Sequence, residues 1–365
     1  MDEAAAEDPI AFTRQEFQAM LLRLRSCESI SALREQARRV QKAIAKRTLP
    51  GTEPSAGREE PPPIVFSRQR LLEDLQQVRE CQTLERAGHY LRRLERSATQ
   101  VRTNSINDIN LNRWKEYDDI LTDSLWLIEK RDASGAHSSD YWGNFVPQIP
   151  NQLVRRYTKR GDWVLDPFLG SGTTLIETQR LGRHGIGVEL RPEVASRARE
   201  AIASEPNPND VVAEVIVGDS RAIDFATLLQ RHGQQRVQLV IAHPPYFDII
   251  KFSDHPQDLS NAPSLEAYLA TLNQVIGRAA GVLDPGRYLA LVIGDKYSRG
   301  EWIPLGFLAM SEVLKAGAFS LKSIVVKNFE GTLGKRQQKE LWRYRALLGG
   351  FYVFKHEYVF VFKKR

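Results

Sequence analysis

Asp166-Pro167-Phe168-Leu169-Gly170-Ser171-Gly172-Thr173-Thr174 is the stretch on which the fold turns. It follows a short apolar run, Trp163–Leu165, and precedes a helical pattern that opens near Thr174. Strand, glycine-paired turn and helix start, in that order, predict a loop whose backbone approaches a ligand. Glycine has no Cβ to hold the ligand off, and the first N–H groups of a helix have no partner within it. No lysine follows Gly172, which disfavours a nucleotide-triphosphate loop. Downstream, Glu189 ends the apolar strand Ile186–Val188, where a carboxylate accepts both hydroxyls of a ribose. Asp219, in Gly218-Asp219-Ser220, ends Val215–Val217 and is placed to accept from an adenine amino group. Three acids at three successive strand ends line one edge of a sheet, the edge at which α/β proteins bind ligands.

The same alternation extends from about residue 120 to the end. The β-rich runs WVLDPF, HGIGVEL, AEVIVGD, VQLVIAH, RYLALVIGD, SIVVKN and EYVFVFKK alternate with helical segments, which predicts a mostly parallel sheet with crossover helices. Val237–Ala242 and Leu289–Gly294 are uninterrupted apolar runs, as strands buried on both faces require.

Val237–Ala242 ends in His243-Pro244-Pro245-Tyr246. Two prolines after a buried strand hold the backbone extended and leave the Pro244 carbonyl without a local donor. An amino group on an aromatic base is a poor nucleophile because its lone pair is delocalised into the ring. Accepting hydrogen bonds from both of its N–H groups draws that lone pair out of conjugation, and His243 with the Pro244 carbonyl supplies two acceptors. Tyr246 is then placed to stack on a base flipped out of a helix. The reading needs a neutral imidazole. An unperturbed histidine titrates near pH 6.5, so activity is expected to fall below about pH 6.

On these residues the chain resembles the amino-methylating DNA methyltransferases, the N4-cytosine/N6-adenine family. DPFLGSGTT matches the family's cofactor loop, HPPY resembles its (Asp/Asn/Ser)-Pro-Pro-(Tyr/Phe/Trp) catalytic element, and Tyr141–Pro150 resembles its cofactor-methionine segment. The histidine at position 243 departs from the family pattern, as does a cofactor loop of this type preceding the catalytic element. The resemblance implies an α/β, Rossmann-like class I methyltransferase sheet over 119–365 and S-adenosylmethionine as cofactor. It implies transfer to the exocyclic amino group of adenine (N6) or cytosine (N4) in DNA, by base flipping, with companion restriction or defence proteins. The cofactor residues it implies are Phe145, Pro147, Asp166, Pro167, Phe168, Gly170, Ser171, Gly172, Thr173, Thr174, Glu189, Asp219 and Ser220, and the catalytic ones are His243, Pro244, Pro245 and Tyr246. An RNA base-amino methyltransferase and a catalytically silent cofactor-binding subunit are the competing readings.

The N-terminal third is different in texture. Residues 1–47 are helical in pattern, with Phe17, Met20, Leu21 and Leu24 on one face; 48–64 is a Pro/Gly/Ser/Glu-rich linker; and 65–118 is a second helical region carrying Leu71, Leu72, Leu75 and Val78. From this reading no internal repeat is expected. Arg92, Arg93 and Arg96 read first as a solvated helix face balanced by Glu85 and Glu95, and second as a phosphate-contacting edge. The net charge of +6 suits a polyanionic partner without requiring one. Candidate nucleic-acid contacts are Lys251, in the loop after the tetrapeptide, and Lys335, Arg336, Lys339, Arg343 and Arg345, which are interleaved with aromatic residues. Binding through them and the N-terminal arginines is expected to weaken steeply with salt. Two cysteines without ligand spacing predict no metal site and a reducing, cytoplasmic setting, and no apolar run is long enough to span a bilayer.

Overall fold

In the computed structural model, which describes residues 8–46, 62–137, 143–329 and 339–365, Pro9–Phe12 (β1) pairs antiparallel with Ile64–Ser67 (β2). The chain divides into two compact units, Met1–Asn104 with Ile109–Asp119, and Ser105–Asp108 with Ile120–Arg365. In the first unit each short strand leads into a helix pair: Arg14–Arg25 (α1) and Ile30–Lys46 (α2), then Arg68–Arg79 (α3) and Leu84–Thr99 (α4). Thr13 caps α1 by accepting from Glu16 N, and Ser67 caps α3 by accepting from Arg70 N. The sequence pattern predicts one continuous helical stretch in each half. The polar turns at 26–29 and 80–83 break each in two, with Ser29 and Thr83 accepting from the amides of Ala32 and Arg86. Of the linker, residues 48–61 lie outside the described residues, and Ile64 already belongs to β2.

This unit corrects the expectation of no internal repeat. Pro9, Ile10, Phe12, Arg14, Gln15, Leu21, Arg25, Cys27, Arg38 and Arg39 each recur 54 positions later, from Pro63 to Arg93. The strand register shows the symmetry directly. Ile10 faces Phe66 and Phe12 faces Ile64, so one pair is met twice, and Ala11 faces its own mate Val65. A pseudo-two-fold axis therefore passes through the Ala11–Val65 pair. Side chains obey it as well. Arg25 donates to Glu95 at 2.7 Å, and its mate Arg79 donates to Gln41, the mate of Glu95, at 3.1 Å. Core mates trade size within one turn: Leu33 and Ala37 correspond to Ala87 and Leu91, all buried, so volume is kept while identity is lost. Leu21 and Leu75 are mates at 2% and 0% exposure. Truncating either to alanine is expected to cost a similar amount, about 2–5 kcal/mol. Urea unfolding of L21A and L75A would show it, and a large inequality would contradict the symmetry.

The second unit holds an eight-stranded sheet in the order β3-β11-β12-β8-β7-β4-β5-β6. Its strands are β3 (Leu125–Trp126), β4 (Trp163–Asp166), β5 (His184–Glu189), β6 (Ala213–Val217), β7 (Val237–Ala242), β8 (Leu283–Ile293), β11 (Phe319–Asn328) and β12 (His356–Lys364); β9 (Lys296–Ser298) and β10 (Glu301–Ile303) form a separate hairpin. Every pair in the large sheet is parallel except the two made by β12. Alternate residues feed opposite faces. Val164, Leu239, Ile241 and Val292 pack with Ile149 and Leu153 of α5 (Gln148–Tyr157). Leu165, Val240, Ala242 and Leu291 pack with Tyr268, Leu272 and Ile276 of α9 (Leu265–Val282) and Leu305 of α10 (Leu305–Lys315). Helices α6 (Thr173–Arg180), α7 (Pro192–Ser204) and α8 (Phe225–Gln230) make the remaining crossovers. This is the α/β, Rossmann-like sheet that the resemblance implies. The chain runs outward from β4 through β5 to β6, then returns across β4 to β7 and runs outward the other way. The switch point between β4 and β7 opens a crevice at their carboxyl ends. No helix among the described residues is long and apolar enough to cross a membrane.

Candidate active site

Because β4 pairs with β7, through Val164↔Leu239 and Leu165↔Val240, the glycine loop and the HPPY tetrapeptide leave the sheet side by side. A cavity of about 1380 Å³ opens there, with Phe145, Pro167, Phe168, Gly170, Ser171, Glu189, Asp219, Ser220, His243, Pro244, Pro245 and Tyr246 among its lining residues. Pro147, Asp166, Gly172, Thr173 and Thr174 lie behind that wall, all buried.

Asp166 organises the loop from beneath. It is fully buried, accepting from Phe168 N at 2.9 Å and from the Thr174 hydroxyl at 2.6 Å. Burial pushes its carboxyl up to about 7 although both hydrogen bonds act the other way. Thr173 donates to Asn144 Oδ1 at 2.7 Å, tying α6 to the Asn144–Pro147 segment, which leads into α5. Gly170 and Gly172 take left-handed φ angles of 55° and 90°. Leu169 donates to Val188 O at 2.9 Å, which seats the loop over β5. Gly187 leaves room for it, since a Cβ there would lie 2.6 Å from Leu169 Cδ1 and displace that side chain.

Two carboxylates face the cavity from the next strand ends. Glu189 accepts from Gly170 N and Arg191 N, each at 3.0 Å, and burial raises its carboxyl above the usual range. Burial acts to raise Asp219 too. Its hydrogen bonds and ion pair with Arg221, at 2.7 Å, outweigh that and hold it below the usual range. The Ser220 hydroxyl donates to Pro167 O at 2.7 Å and joins the β6 end to the loop.

The tetrapeptide is part of a polar chain that reaches across the sheet. Tyr246 donates to Glu357 Oε2 at 2.7 Å, and His243 Nε2 lies 3.1 Å from the Tyr246 hydroxyl. A phenol has one proton. With that proton on the carboxylate, Nε2 must donate, which puts the imidazole proton on Nε2 and leaves Nδ1 as an acceptor. Glu357 is held in turn by Lys327 Nζ at 3.1 Å, both side chains 4% exposed. These two are a cross-strand pair of β11 and β12. The Phe145 ring lies over His243 with centroids 4.6 Å apart. Burial pushes the His243 imidazole down to about 4; Glu357 acts against this and Lys327 with it. With that shift, the fall in activity tied to a neutral His243 is expected nearer pH 4 than pH 6. Tyr268 donates to Pro245 O at 2.6 Å, as does Phe247 N at 3.0 Å. Among the described residues nothing donates to the Pro244 carbonyl. The Tyr246 ring packs over Gly294, where a Cβ would be 2.9 Å from it.

The candidate nucleic-acid residues are more scattered. Lys251 is exposed and pairs with Asp254 at 2.5 Å. Lys335 and Arg336 lie outside the described residues, as do Tyr141 and Trp142 of the segment that resembles the family's cofactor-methionine segment. Lys339 opens the helix Lys339–Gly349. On that helix Arg343 is exposed and Arg345 stacks on Trp342 at 5.3 Å, while Trp342 lines the cavity with Phe351 and Phe354. Sequence reasoning missed Lys327, Glu357 and Tyr268. The signal for the first two is a charge set in an apolar run, SIVVKN and HEYVFVF, at positions the alternation would bury.

Residues 80–200 match the family model N6_N4_Mtase, described as DNA methylase. The chain is 37% identical over 67 residues to Type II methyltransferase M.MjaII of Methanocaldococcus jannaschii, covering 18% of this chain and 13% of that protein. It is 36% identical over 104 residues to Type II methyltransferase M2.DpnII of Streptococcus pneumoniae, covering 27% and 35%. It is 33% identical over 82 residues to Type II methyltransferase M.XycI of Xanthomonas campestris pv. cyanopsidis, covering 22% and 26%. The matches thus span well under half the length of each relative.

Proposed function

We propose that the chain methylates the exocyclic amino group of adenine (N6) or cytosine (N4) in DNA, a reading that the match of residues 80–200 to the DNA methylase model supports. The observation that carries this reading is the meeting of two elements in one cavity, the glycine loop from β4 and the His243–Tyr246 tetrapeptide from β7. The cavity fits S-adenosylmethionine. Left-handed Gly170 keeps the loop wall free of a Cβ, while Glu189 and Asp219 offer carboxylates at the ends of β5 and β6. Phe145, Pro167, Phe168, Gly170, Ser171, Glu189, Asp219 and Ser220 would hold the cofactor, with Pro147, Asp166, Gly172, Thr173 and Thr174 fixing their backbone from behind. When bound, the cofactor supplies an electrophilic methyl group on a sulfonium centre.

The chain's own residues prepare the acceptor. His243 Nδ1 and the Pro244 carbonyl accept hydrogen bonds from the two N–H groups of the base and localise the nitrogen lone pair. Pro245, fixed by Tyr268, holds that carbonyl in place, and the Tyr246 ring stacks on the base. Lys251, Lys335, Arg336, Lys339, Arg343 and Arg345 contact the nucleic-acid backbone.

The test is incubation of the full chain with isotopically labelled S-adenosylmethionine and duplex DNA, then digestion to nucleosides. Label in N6-methyladenine or N4-methylcytosine is the expected result. Label entering RNA but not DNA, or neither, would overturn the proposal.

A further inference from the structure

The duplicated helical unit has a surface feature that its own fold does not use. Arg38 and Lys42 lie four residues apart on α2, and their symmetry mates Arg92 and Arg96 lie four apart on α4. All four are exposed, and among the described residues their side chains make no ion pair or hydrogen bond. Their basic neighbours are neutralised: Arg39 pairs with Glu35, and Arg93 with Asp74 at 2.8 Å. Glu95, beside Arg96, is occupied by Arg25 at 2.7 Å. Like charges at i and i+4 share a helix face and repel, which weakens the helix that carries them. Two copies of one segment have diverged at most positions, yet both keep this unfavourable pair. An anion supplied from outside the chain would offset that repulsion.

We propose that this unit binds duplex DNA as a two-fold clamp, each basic pair contacting the phosphates of the backbone. The identity of the polymer rests on the proposed function; the two-fold geometry does not. Two cations about 6 Å apart along a helix axis engage phosphates of one strand. A protein with two-fold symmetry matches the local dyad of a duplex, as in dimeric operator-binding proteins. Phosphate contacts carry no base information, so the clamp positions the duplex whatever its sequence.

The experiment measures binding of the full chain to labelled duplex DNA over a salt series, without methyl donor. R38A/K42A and R92A/R96A are each expected to flatten the slope of log affinity against log salt by about 1.8, and the quadruple variant by about 3.6, since each phosphate contact contributes about 0.9. R14A/R23A removes the same charge from exposed positions that are not a matched pair, and is expected to leave the slope near that of the parent. R38K/R92K keeps the charge and should keep the slope. An unchanged slope in either pair variant overturns the proposal, as does an equal effect of R14A/R23A, loss of slope in R38K/R92K, or a larger effect on single-stranded RNA than on duplex DNA. Binding and transfer are read separately. A parent that binds with the expected slope but methylates nothing refutes the proposed function alone. A methylating parent whose slope ignores both pairs refutes the clamp alone.

Discussion

His243→Ala is expected to transfer methyl groups roughly 100-fold or more slowly than the parent, with S-adenosylmethionine affinity little changed. The side chain supplies one of two acceptors for the target amino group, while the cofactor residues leave the sheet from other strands. His243→Asn, which restores a residue the family uses at this place, is expected to keep part of the rate. The pH profile tests the same nitrogen. With the imidazole pushed down to about 4, a neutral acceptor persists through pH 5, and the rate should fall only as the pH nears 4. An inflection near 6.5 would show that His243 behaves as an exposed histidine. The sign for stability follows from the same shift. Between the folded value near 4 and the unfolded value near 6.5, the unfolded chain binds a proton that the folded chain does not. The stability His243 contributes is therefore full above about 6.5 and is lost as the pH falls toward 4. Glu357→Ala should slow transfer as well, because the Tyr246 relay that fixes the tautomer loses its anchor. It also leaves Lys327 buried and unpaired, at a cost of about 3–5 kcal/mol. An H243A chain that methylates as fast as the parent would reduce His243 to a turn residue and leave the chemistry to the Pro244 carbonyl.

Gly170→Val is expected to weaken S-adenosylmethionine binding on the order of 100-fold. Gly170 sits at φ 55°, where a branched side chain costs about 1–2 kcal/mol. Its N–H holds Glu189 Oε2 at 3.0 Å, a charge-assisted bond worth about 1.5–3 kcal/mol that a shifted backbone loses. The strain lowers stability, whereas loss of that bond releases the ligand-facing Glu189 carboxylate; about 3 kcal/mol, the upper end of that range, corresponds to about two powers of ten in affinity. Gly161→Val is the control. Gly161 is also left-handed, at φ 79°, but a Cβ there meets nothing within 4 Å, and it does not line the cavity. It should lower stability and spare cofactor affinity. Isothermal titration of both variants separates strain at the site from strain in general, and equal loss in the two would remove the loop from the cofactor assignment.

The sequence by itself determined what depends on short range. Val237–Ala242 is apolar without interruption and is a strand over those same residues. Asp166 to Thr174 is a strand end, a glycine turn and a helix start because proline, glycine and threonine impose those backbone states locally. The side-by-side placement of DPFLGSGTT and HPPY was legible only as far as both end buried strands. That those strands are neighbours is decided by the chain crossing back over β4, a non-local pairing that no periodicity encodes. The partners of Asp166, Phe168 N and the Thr174 hydroxyl, lie within the same nine residues, and only its complete burial is a tertiary outcome. The His243 shift and its partner Glu357, 111 positions from Tyr246, depend on which charges are enclosed with it and how much water is excluded. The repeat in the helical unit was hidden for a related reason. Core packing conserves volume across several positions at once, so Leu33 and Ala37 could become Ala87 and Leu91 with the core still filled. The strand pairing through Ala11 and Val65 makes the two halves recognisable as copies.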